Sequence, residues 1–146
     1  MASPFLDERT YKSGDLVFTE GEKGAEMFIV QEGKVIVTRQ VAGTEVFLAT
    51  VGRGDFFGEM AVLESLPRSA TCRALDDTRL LAIRTGELLM KIRRDPTFAF
   101  EMLQHMSRRI RYLDDQLALI MESEKLSREE LDRLRATSEY PQKDHP

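Results

Sequence analysis

The segment GDFFGEMAVLESLPRSAT, residues 54–71, is the most informative part of the chain. It brings a carboxylate (Glu59), a guanidinium (Arg68) and a hydroxyl (Ser69) within eleven residues. The glycines of the segment allow a positive φ, and backbone N–H groups in such turns can converge on an anion. Arg68 offers a planar fork of donors for a phosphate, and an ionised Glu59 accepts hydrogen bonds from sugar hydroxyls. A ligand that carries a ribose and one phosphate would satisfy this set of groups.

The segment resembles the phosphate-binding cassette of the cyclic-nucleotide-binding domain, whose family includes bacterial catabolite activators and the regulatory subunits of cyclic-AMP-dependent protein kinase. That cassette reads roughly F-G-E-(L/I/M)-(A/G)-L, a short spacer and then P-R-(S/T/A)-A, which this chain matches at residues 57–61, 63 and 67–70. The upstream spacing agrees as well. The matching positions there are Gly14-Asp15, Gly21-Glu22, Gly24, Phe28-Ile29-Val30, Gly33, Val35 and Val37. The resemblance covers roughly residues 10 to 120.

The resemblance implies that a cyclic nucleotide binds at this cassette, with the cyclic phosphate on Arg68 and the ribose 2′-hydroxyl on Glu59. In bacterial activators of the family an arginine on the long helix reaches the nucleotide pocket, and alignment gives that role to Arg109. The implied ligand-binding residues are Gly58, Glu59, Met60, Ala61, Arg68, Ser69, Ala70 and Arg109. The family positions at which hydroxyl residues contact adenine align with Leu113 and Asp114, so the preference between adenine and guanine stays open.

Two simpler interpretations of the cassette stay open. Glycine-rich turns with one arginine occur in many β-sandwiches, and an isolated arginine is usually a surface residue. Domains of this family can also keep the fold without binding a ligand, and fold alone does not determine function. The presence of Glu59, Arg68 and Ser69 together favours binding.

The composition bounds the class of protein. A chain of 146 residues with 42% hydrophobic and 32% charged residues suits one globular domain. No apolar run approaches the ~20 residues of a membrane span, and no signal peptide is visible, so we expect a cytoplasmic protein. Cys72 alone fits a reducing compartment, and Cys72, His105 and His145 are too widely separated for a metal site. The net charge of −4 argues against non-specific nucleic-acid binding.

Residues 9 to 84 are predicted to be β structure, because short apolar runs alternate with glycine turns. The predicted strands are Leu16–Phe18, Met27–Val30, Val35–Thr38, Val46–Val51, Ala70–Ala74 and Arg79–Ile83. We expect a mainly β chain with C-terminal α structure: an antiparallel β-barrel or jelly roll, then a short helix and a long C-terminal helix. Gly33-Lys34, Ala42-Gly43 and Asp76-Asp77 are interpreted as hairpin turns. Alternation along the strand after the cassette places its small residues toward the core: Ala70, Cys72 and Ala74.

The hydrophobic period changes from strand to helix at Thr85, which we interpret as an N-cap. Asp95-Pro96 marks a second helix start, with Asp as the cap and Pro at the first helical position. The long helix that follows is expected to break near residues 124–127, because Ser127 and Glu130 have the spacing of a capping box. The predicted regions are a β-barrel with a short helix (1–95), a lid and dimerisation helix (96–136) and a disordered tail (137–146).

An apolar stripe on the long helix steps by 4, 3, 4 and 3 residues. Its members are Met106, Ile110, Leu113, Leu117 and Ile120. This spacing is typical of a coiled-coil seam and favours a parallel homodimer, which the resemblance also implies. The open alternative is that the stripe packs against the chain's own β-domain.

We therefore predict a stand-alone sensor that binds a cyclic purine mononucleotide, cyclic AMP first and cyclic GMP next, and signals to an unknown downstream protein by repositioning its C-terminal helix. We expect no catalysis, since no P-loop and no Ser/His/Asp arrangement is visible in the sequence. We expect no DNA binding, since no helix-turn-helix or basic stripe follows the long helix. Two alternatives stay open: a ligand-free dimeric scaffold with the same fold, and the sensor fragment of a larger regulator.

Overall fold

Eight strands form two four-stranded antiparallel sheets in the computed structural model, which describes residues 7–123 and 127–136. The strands are β1 (Asp7–Tyr11), β2 (Leu16–Phe18), β3 (Glu26–Glu32), β4 (Val35–Val41), β5 (Thr44–Val51), β6 (Phe56–Phe57), β7 (Thr71–Ala74) and β8 (Thr78–Arg84). The first sheet has the order β1-β8-β3-β6 and the second the order β2-β7-β4-β5. The chain therefore crosses between the sheets several times, and the predicted jelly roll is confirmed.

The main apolar cluster draws side chains from both sheets. Its buried members are Phe18, Phe28, Val30, Val35, Val51, Phe57, Cys72, Leu80 and Ala82. Full burial of a large apolar side chain contributes about 1.5–3 kcal/mol, so this cluster is the principal stabilising element of the β structure. The predicted inward face of β7 is confirmed, because Ala70, Cys72 and Ala74 are all buried.

Two of the three predicted hairpin turns were wrong and are crossings between sheets instead. The strands on either side of Gly33-Lys34 belong to different sheets, and so do those on either side of Asp76-Asp77. The two crossings bond to each other, since the Lys34 N–H donates to the Asp76 carboxylate at 2.8 Å. Ala42-Gly43 does form a hairpin tip, between β4 and β5, with both residues at positive φ.

Four helices lie in the described part of the chain. They are α1 (Glu59–Leu63), α2 (Thr85–Arg94), α3 (Pro96–Ser123) and α4 (Arg128–Ala136). The predicted cap of α3 is confirmed: the Asp95 carboxylate accepts from the Phe98 N–H at 3.3 Å. The predicted cap of α2 was displaced by one residue, because Arg84 holds the N-cap position and Thr85 is the first helical residue.

The capping box before α4 is confirmed in detail. The Ser127 hydroxyl accepts from the Glu130 N–H at 3.2 Å, while the Glu130 carboxylate accepts from the Ser127 N–H at 2.8 Å. These two bonds satisfy backbone donors that the helix itself leaves without acceptors. The predicted break near residues 124–127 and the predicted tail at 137–146 fall wholly or partly outside the described residues.

The chain divides into two compact units, Met1–Phe100 and Glu101–Pro146. The first unit contains both sheets, α1 and α2, and it also contains the first residues of α3. The second unit contains the rest of α3 and α4. All cassette residues therefore belong to the first unit, and the apolar stripe of α3 belongs to the second.

Candidate functional site

The cassette begins where β6 ends and α1 starts. Gly58, between them, has φ 77° and ψ 10°, a left-handed conformation that glycine adopts without the steric cost of a Cβ. Glu59 is the first residue of α1 and is half-buried. Backbone N–H groups in the first turn of a helix have no intrahelical acceptor. Gly58 thus places a carboxylate and first-turn N–H groups together at one turn.

Arg68 is the buried cation of the cassette. Only 7% of its surface is exposed, so the interpretation of Arg68 as an ordinary surface arginine was wrong. Its Nη1 donates to the backbone carbonyl of Glu26 at 2.7 Å and to that of Gly58 at 3.1 Å. Its Cζ lies 4.1 Å from the centroid of the Phe18 ring and 5.8 Å from that of Phe28. The guanidinium is therefore fixed by two carbonyls and by aromatic faces.

Two glycines leave the space that the guanidinium occupies. A Cβ at Gly24 would overlap Nε, Cζ and Nη2 of Arg68, and a Cβ at Gly58 would lie 2.8 Å from Nη1. Real Cβ atoms do not approach other atoms this closely, so a larger residue at either position would require the guanidinium to move. We call the space bounded by Phe18, Gly24 and Gly58 the guanidinium pocket.

The backbone of Arg68 is held by the loop between β2 and β3. The Arg68 N–H donates to the Glu22 carbonyl, and the Gly21 N–H donates to the Arg68 carbonyl, both at 2.8 Å. The same loop is tied to β7, because the Glu20 N–H donates to the Thr71 hydroxyl at 3.0 Å. The loop therefore fixes the position from which the Arg68 side chain extends.

The surroundings of Arg68 disfavour its charged form. Burial lowers the pKa of the Arg68 guanidinium, and the charges of Glu26 and Glu22 act in the opposite direction without cancelling it. Arginine nevertheless stays protonated in proteins, so a desolvated positive charge remains here. An anion that reached this charge would recover part of the lost solvation.

Glu26 is already engaged with another arginine. Its carboxylate accepts from Arg9 at 2.6 Å, and Arg9 also donates to Asp7 at 2.7 Å. The hydrogen bond to Asp7 and the charge of Glu26 raise the pKa of Arg9. The carboxylate of Glu26 thus accepts a hydrogen bond from Arg9, while the backbone carbonyl of Glu26 accepts one from Arg68.

Seven of the eight predicted site residues lie in the first unit, and the eighth lies in the second. Ala61, Ala70 and Arg68 are buried, Gly58 and Glu59 are half-buried, and Met60 and Ser69 are exposed. Arg109 lies on α3 and is half-buried. Its predicted approach to Glu59 stays a prediction.

Sequence reasoning missed Phe18 and the carbonyl of Glu26 as neighbours of Arg68. Gly24 was noted only as part of a spacing pattern. Phe18 and Gly24 stand 50 and 44 residues before Arg68, so the contact depends on the pairing of β2 with β7 and on the loop bonds rather than on any local signal. The two glycines of the β2–β3 loop, Gly21 and Gly24, were the one hint that a close approach occurs there.

A second candidate surface is the apolar stripe on α3. Ile110, Leu113, Leu117 and Ile120 are all exposed, and Met106 is half-buried. Exposed aliphatic residues repeated at heptad spacing on one face are typical of an interface between helices. This exposure fits the predicted seam, which stays a prediction.

Neither a metal cluster nor a membrane-crossing helix occurs in the described ranges. Among residues 7–123 and 127–136, no three His, Cys, Asp or Glu side chains are grouped so that they could hold a metal ion. None of the helices in those ranges combines the length and the hydropathy that a membrane span requires.

Known proteins match the chain over most of its β structure. Residues 8–95 match the cyclic nucleotide-binding domain family. The cyclic AMP receptor protein of Thermus thermophilus is 36% identical over 121 residues, which is 82% of this chain and 56% of that protein. The cAMP-dependent protein kinase regulatory subunit of Mycosarcoma maydis is 40% identical over 88 residues, which is 58% of this chain and 17% of that protein.

A solved structure agrees in fold as well as in sequence. The crystal structure of the Thermus thermophilus catabolite activator protein matches with a TM-score of 0.71 and 37% identity, over 80% of this chain and 55% of that chain. This chain thus spans little more than half of that activator and a smaller part of the kinase subunit. The matched domains are regulatory rather than catalytic. With residues 8–95 of 146 matched to its model, the chain belongs to the cyclic nucleotide-binding domain family.

Proposed function

We propose that the first unit of this chain is a sensor that binds a cyclic purine mononucleotide at the cassette. The observation that carries the proposal is the buried guanidinium of Arg68, which is 7% exposed and is held by the carbonyls of Glu26 and Gly58. A desolvated arginine beside a glycine-rich turn suits a phosphate ester, because its planar fork matches phosphate oxygens.

The roles of the cassette residues follow from their chemistry. Arg68 binds the cyclic phosphate, and the exposed Ser69 hydroxyl beside it donates to a phosphate oxygen. Glu59 accepts from the ribose 2′-hydroxyl, since an ionised carboxylate is an acceptor only. Gly58, Met60 and Ala61 supply backbone N–H groups of the turn, and Ala70 closes the site with a small buried side chain.

Cyclic AMP is the ligand that the relatives favour. The matched receptor protein and the matched kinase subunit are both named for that nucleotide. Leu113 and Asp114 replace the hydroxyl residues expected near the base, so cyclic GMP is the second candidate. The phosphate and ribose contacts are the same for both.

The signal is proposed to leave the domain through α3. Two copies of the chain would pair along the exposed stripe, and the ligand would shift α3 between two positions. A ligand can cause such a shift only if it binds one position better than the other. Arg109 would supply that difference by reaching Glu59 or the nucleotide in the bound position. The acidic net charge of −4 is the reason to propose a protein rather than DNA as the downstream partner.

Titration calorimetry on protein freed of co-purified nucleotide tests the proposal. Cyclic AMP should bind with a micromolar or tighter dissociation constant. A micromolar constant corresponds to a binding free energy of about −8 kcal/mol. Linear 5′-AMP is the matched control, because it has the same base and ribose but a doubly charged, unclosed phosphate. Absence of heat and of any thermal shift with millimolar cyclic AMP and cyclic GMP would contradict the proposal and favour the ligand-free scaffold.

A further inference from the structure

The guanidinium pocket holds the end of the long, flexible Arg68 side chain in one position. Phe18 supplies an aromatic face at 4.1 Å from Cζ of Arg68. Gly24 faces Nε, Cζ and Nη2, and Gly58 faces Nη1. A free arginine samples many rotamers, so a site that relies on its fork gains from contacts that hold the fork in place before the ligand arrives.

Gly24 is explained by this contact and not by its backbone. Its φ lies outside the left-handed region, in contrast to Gly21 and Gly58, so other residues could adopt the same conformation. The three nearest atoms that a Cβ would meet belong to the end of the Arg68 side chain. Such an end can move at small cost to the fold. A side chain at position 24 would therefore displace the guanidinium and leave the loop in place.

Phe18 is also in contact with the rest of the core. Its ring lies 6.0 Å from that of Phe28 and 5.8 Å from that of Phe57, and these two rings are 5.3 Å apart. One side of Phe18 thus faces the apolar cluster while the guanidinium lies against its ring. Cation–π attraction is strongest where the cation is desolvated, as Arg68 is.

We propose that Phe18 and Gly24 are positioning residues of the site: Phe18 holds the Arg68 guanidinium by its aromatic face, and Gly24 leaves the clearance that this position requires. The inference rests on the proposed function, because it assigns Arg68 to the ligand phosphate. It adds two residues outside the cassette that determine affinity without contacting the nucleotide.

The first test replaces Gly24 by alanine and measures cyclic AMP binding by calorimetry. Gly24→Ala should weaken binding by about tenfold or more, because the binding-competent position of Arg68 becomes a minor one. Gly52→Ala is the matched control: Gly52 also lies outside the left-handed region, and a Cβ there meets nothing within 4 Å. Gly52→Ala should bind within about twofold of wild type. Gly24→Ala should lower the melting temperature by no more than Arg68→Ala does, because it displaces the guanidinium and leaves the loop in place.

The second test removes the aromatic face. Phe18→Leu should weaken cyclic AMP binding by between about fivefold and thirtyfold, the change expected for a desolvated cation–π contact. Leu80→Val also removes buried atoms from the same apolar cluster, at a residue outside the cassette, and should change affinity by less than about threefold. Phe18→Tyr keeps the ring and should restore most of the affinity. If Phe18→Leu does not fold, Phe18→Met, which fills apolar space without a ring, takes its place.

Double variants separate positioning from general loosening of the fold. In an Arg68→Ala background neither Gly24→Ala nor Phe18→Leu should weaken binding by more than about a further twofold, since their effect passes through Arg68. Equal losses with and without Arg68, or wild-type affinity in both single variants, would overturn the inference. Those outcomes leave the proposed function standing, provided that wild type binds and Arg68→Ala binds more weakly. Failure of wild type to bind would instead contradict the proposed function.

Discussion

Nη1 of Arg68 donates to the backbone carbonyl of Glu26 at 2.7 Å, which links the cassette to β3 across 42 residues of chain. Because this bond joins two distant parts of the chain, Arg68 contributes to the fold as well as to the candidate site. Its second bond, to Gly58, closes the cassette on itself at 3.1 Å. The residue proposed to bind phosphate is therefore also a structural brace.

Arg68→Ala should lower the free energy of unfolding of the ligand-free protein by about 1–2 kcal/mol, because hydrogen bonds to a charged donor are lost from two half-buried carbonyls. The substitution also removes the cost of burying a cation, which offsets part of the loss of stability. Urea denaturation measures the change. Arg53→Ala, at an exposed arginine, is the control and should lie within about 0.5 kcal/mol of wild type. Equal stability of the two variants would show that the carbonyl bonds contribute nothing.

Glu59→Ala should reduce the advantage of cyclic AMP over its 2′-deoxy analogue. Wild type should prefer the ribose form by about tenfold, the effect of a hydrogen bond to a charged acceptor. The variant should bind both forms almost equally, as competition with a fluorescent cyclic nucleotide would reveal. Glu64→Ala, at the exposed residue that follows α1, should keep the full preference. An unchanged preference in Glu59→Ala would remove Glu59 from the ribose contact.

Replacing Ile110 and Leu117 together by lysine should produce a monomer, because a symmetric seam would bring like charges together. Sedimentation velocity measures the mass, and circular dichroism should still report β structure from the first unit. The matched control replaces Tyr112 and Leu119, which are as exposed as the stripe but lie off it. That control should remain a dimer. A wild type that is monomeric at tens of micromolar would contradict the seam.

Hydrogen exchange should reveal whether the ligand acts on α3. Cyclic AMP is expected to alter protection across α3 in addition to the cassette, with a coupling of about 1–3 kcal/mol between ligand and helix position. Arg109→Ala should reduce the change in α3 and leave the change in the cassette. Identical exchange of α3 with and without ligand would mean that the domain binds without this switch.

The strands were predictable because their signal is local. Five of the six predicted apolar runs lie within observed strands, and the sixth, Ala70–Ala74, begins one residue before β7. The polar strand β1 (Asp7–Tyr11) was overlooked because its stability comes from pairing with β8 rather than from an apolar pattern of its own. The crossings at Gly33-Lys34 and Asp76-Asp77 have the turn chemistry of hairpins. Only the non-local pairing of the flanking strands distinguishes a crossing between sheets from a hairpin.

The candidate site was predictable in its residue types and not in its geometry. Glu59, Arg68 and Ser69 have recognisable chemistry at a recognisable spacing. The burial of Arg68 depends on the Phe18 ring and on Gly24, which lie far from Arg68 in the sequence. The local sequence around Arg68 therefore does not predict these contacts.

A calorimetric titration of wild type, Arg68→Ala and Arg68→Lys with cyclic AMP measures whether Arg68 binds the cyclic phosphate. Arg68→Ala should weaken binding by about tenfold to a hundredfold or more, the effect of losing a charge-assisted hydrogen bond. Arg68→Lys should fail to restore affinity, because an ammonium group lacks the planar fork. Wild-type affinity in folded Arg68→Ala would show that Arg68 does not bind the phosphate.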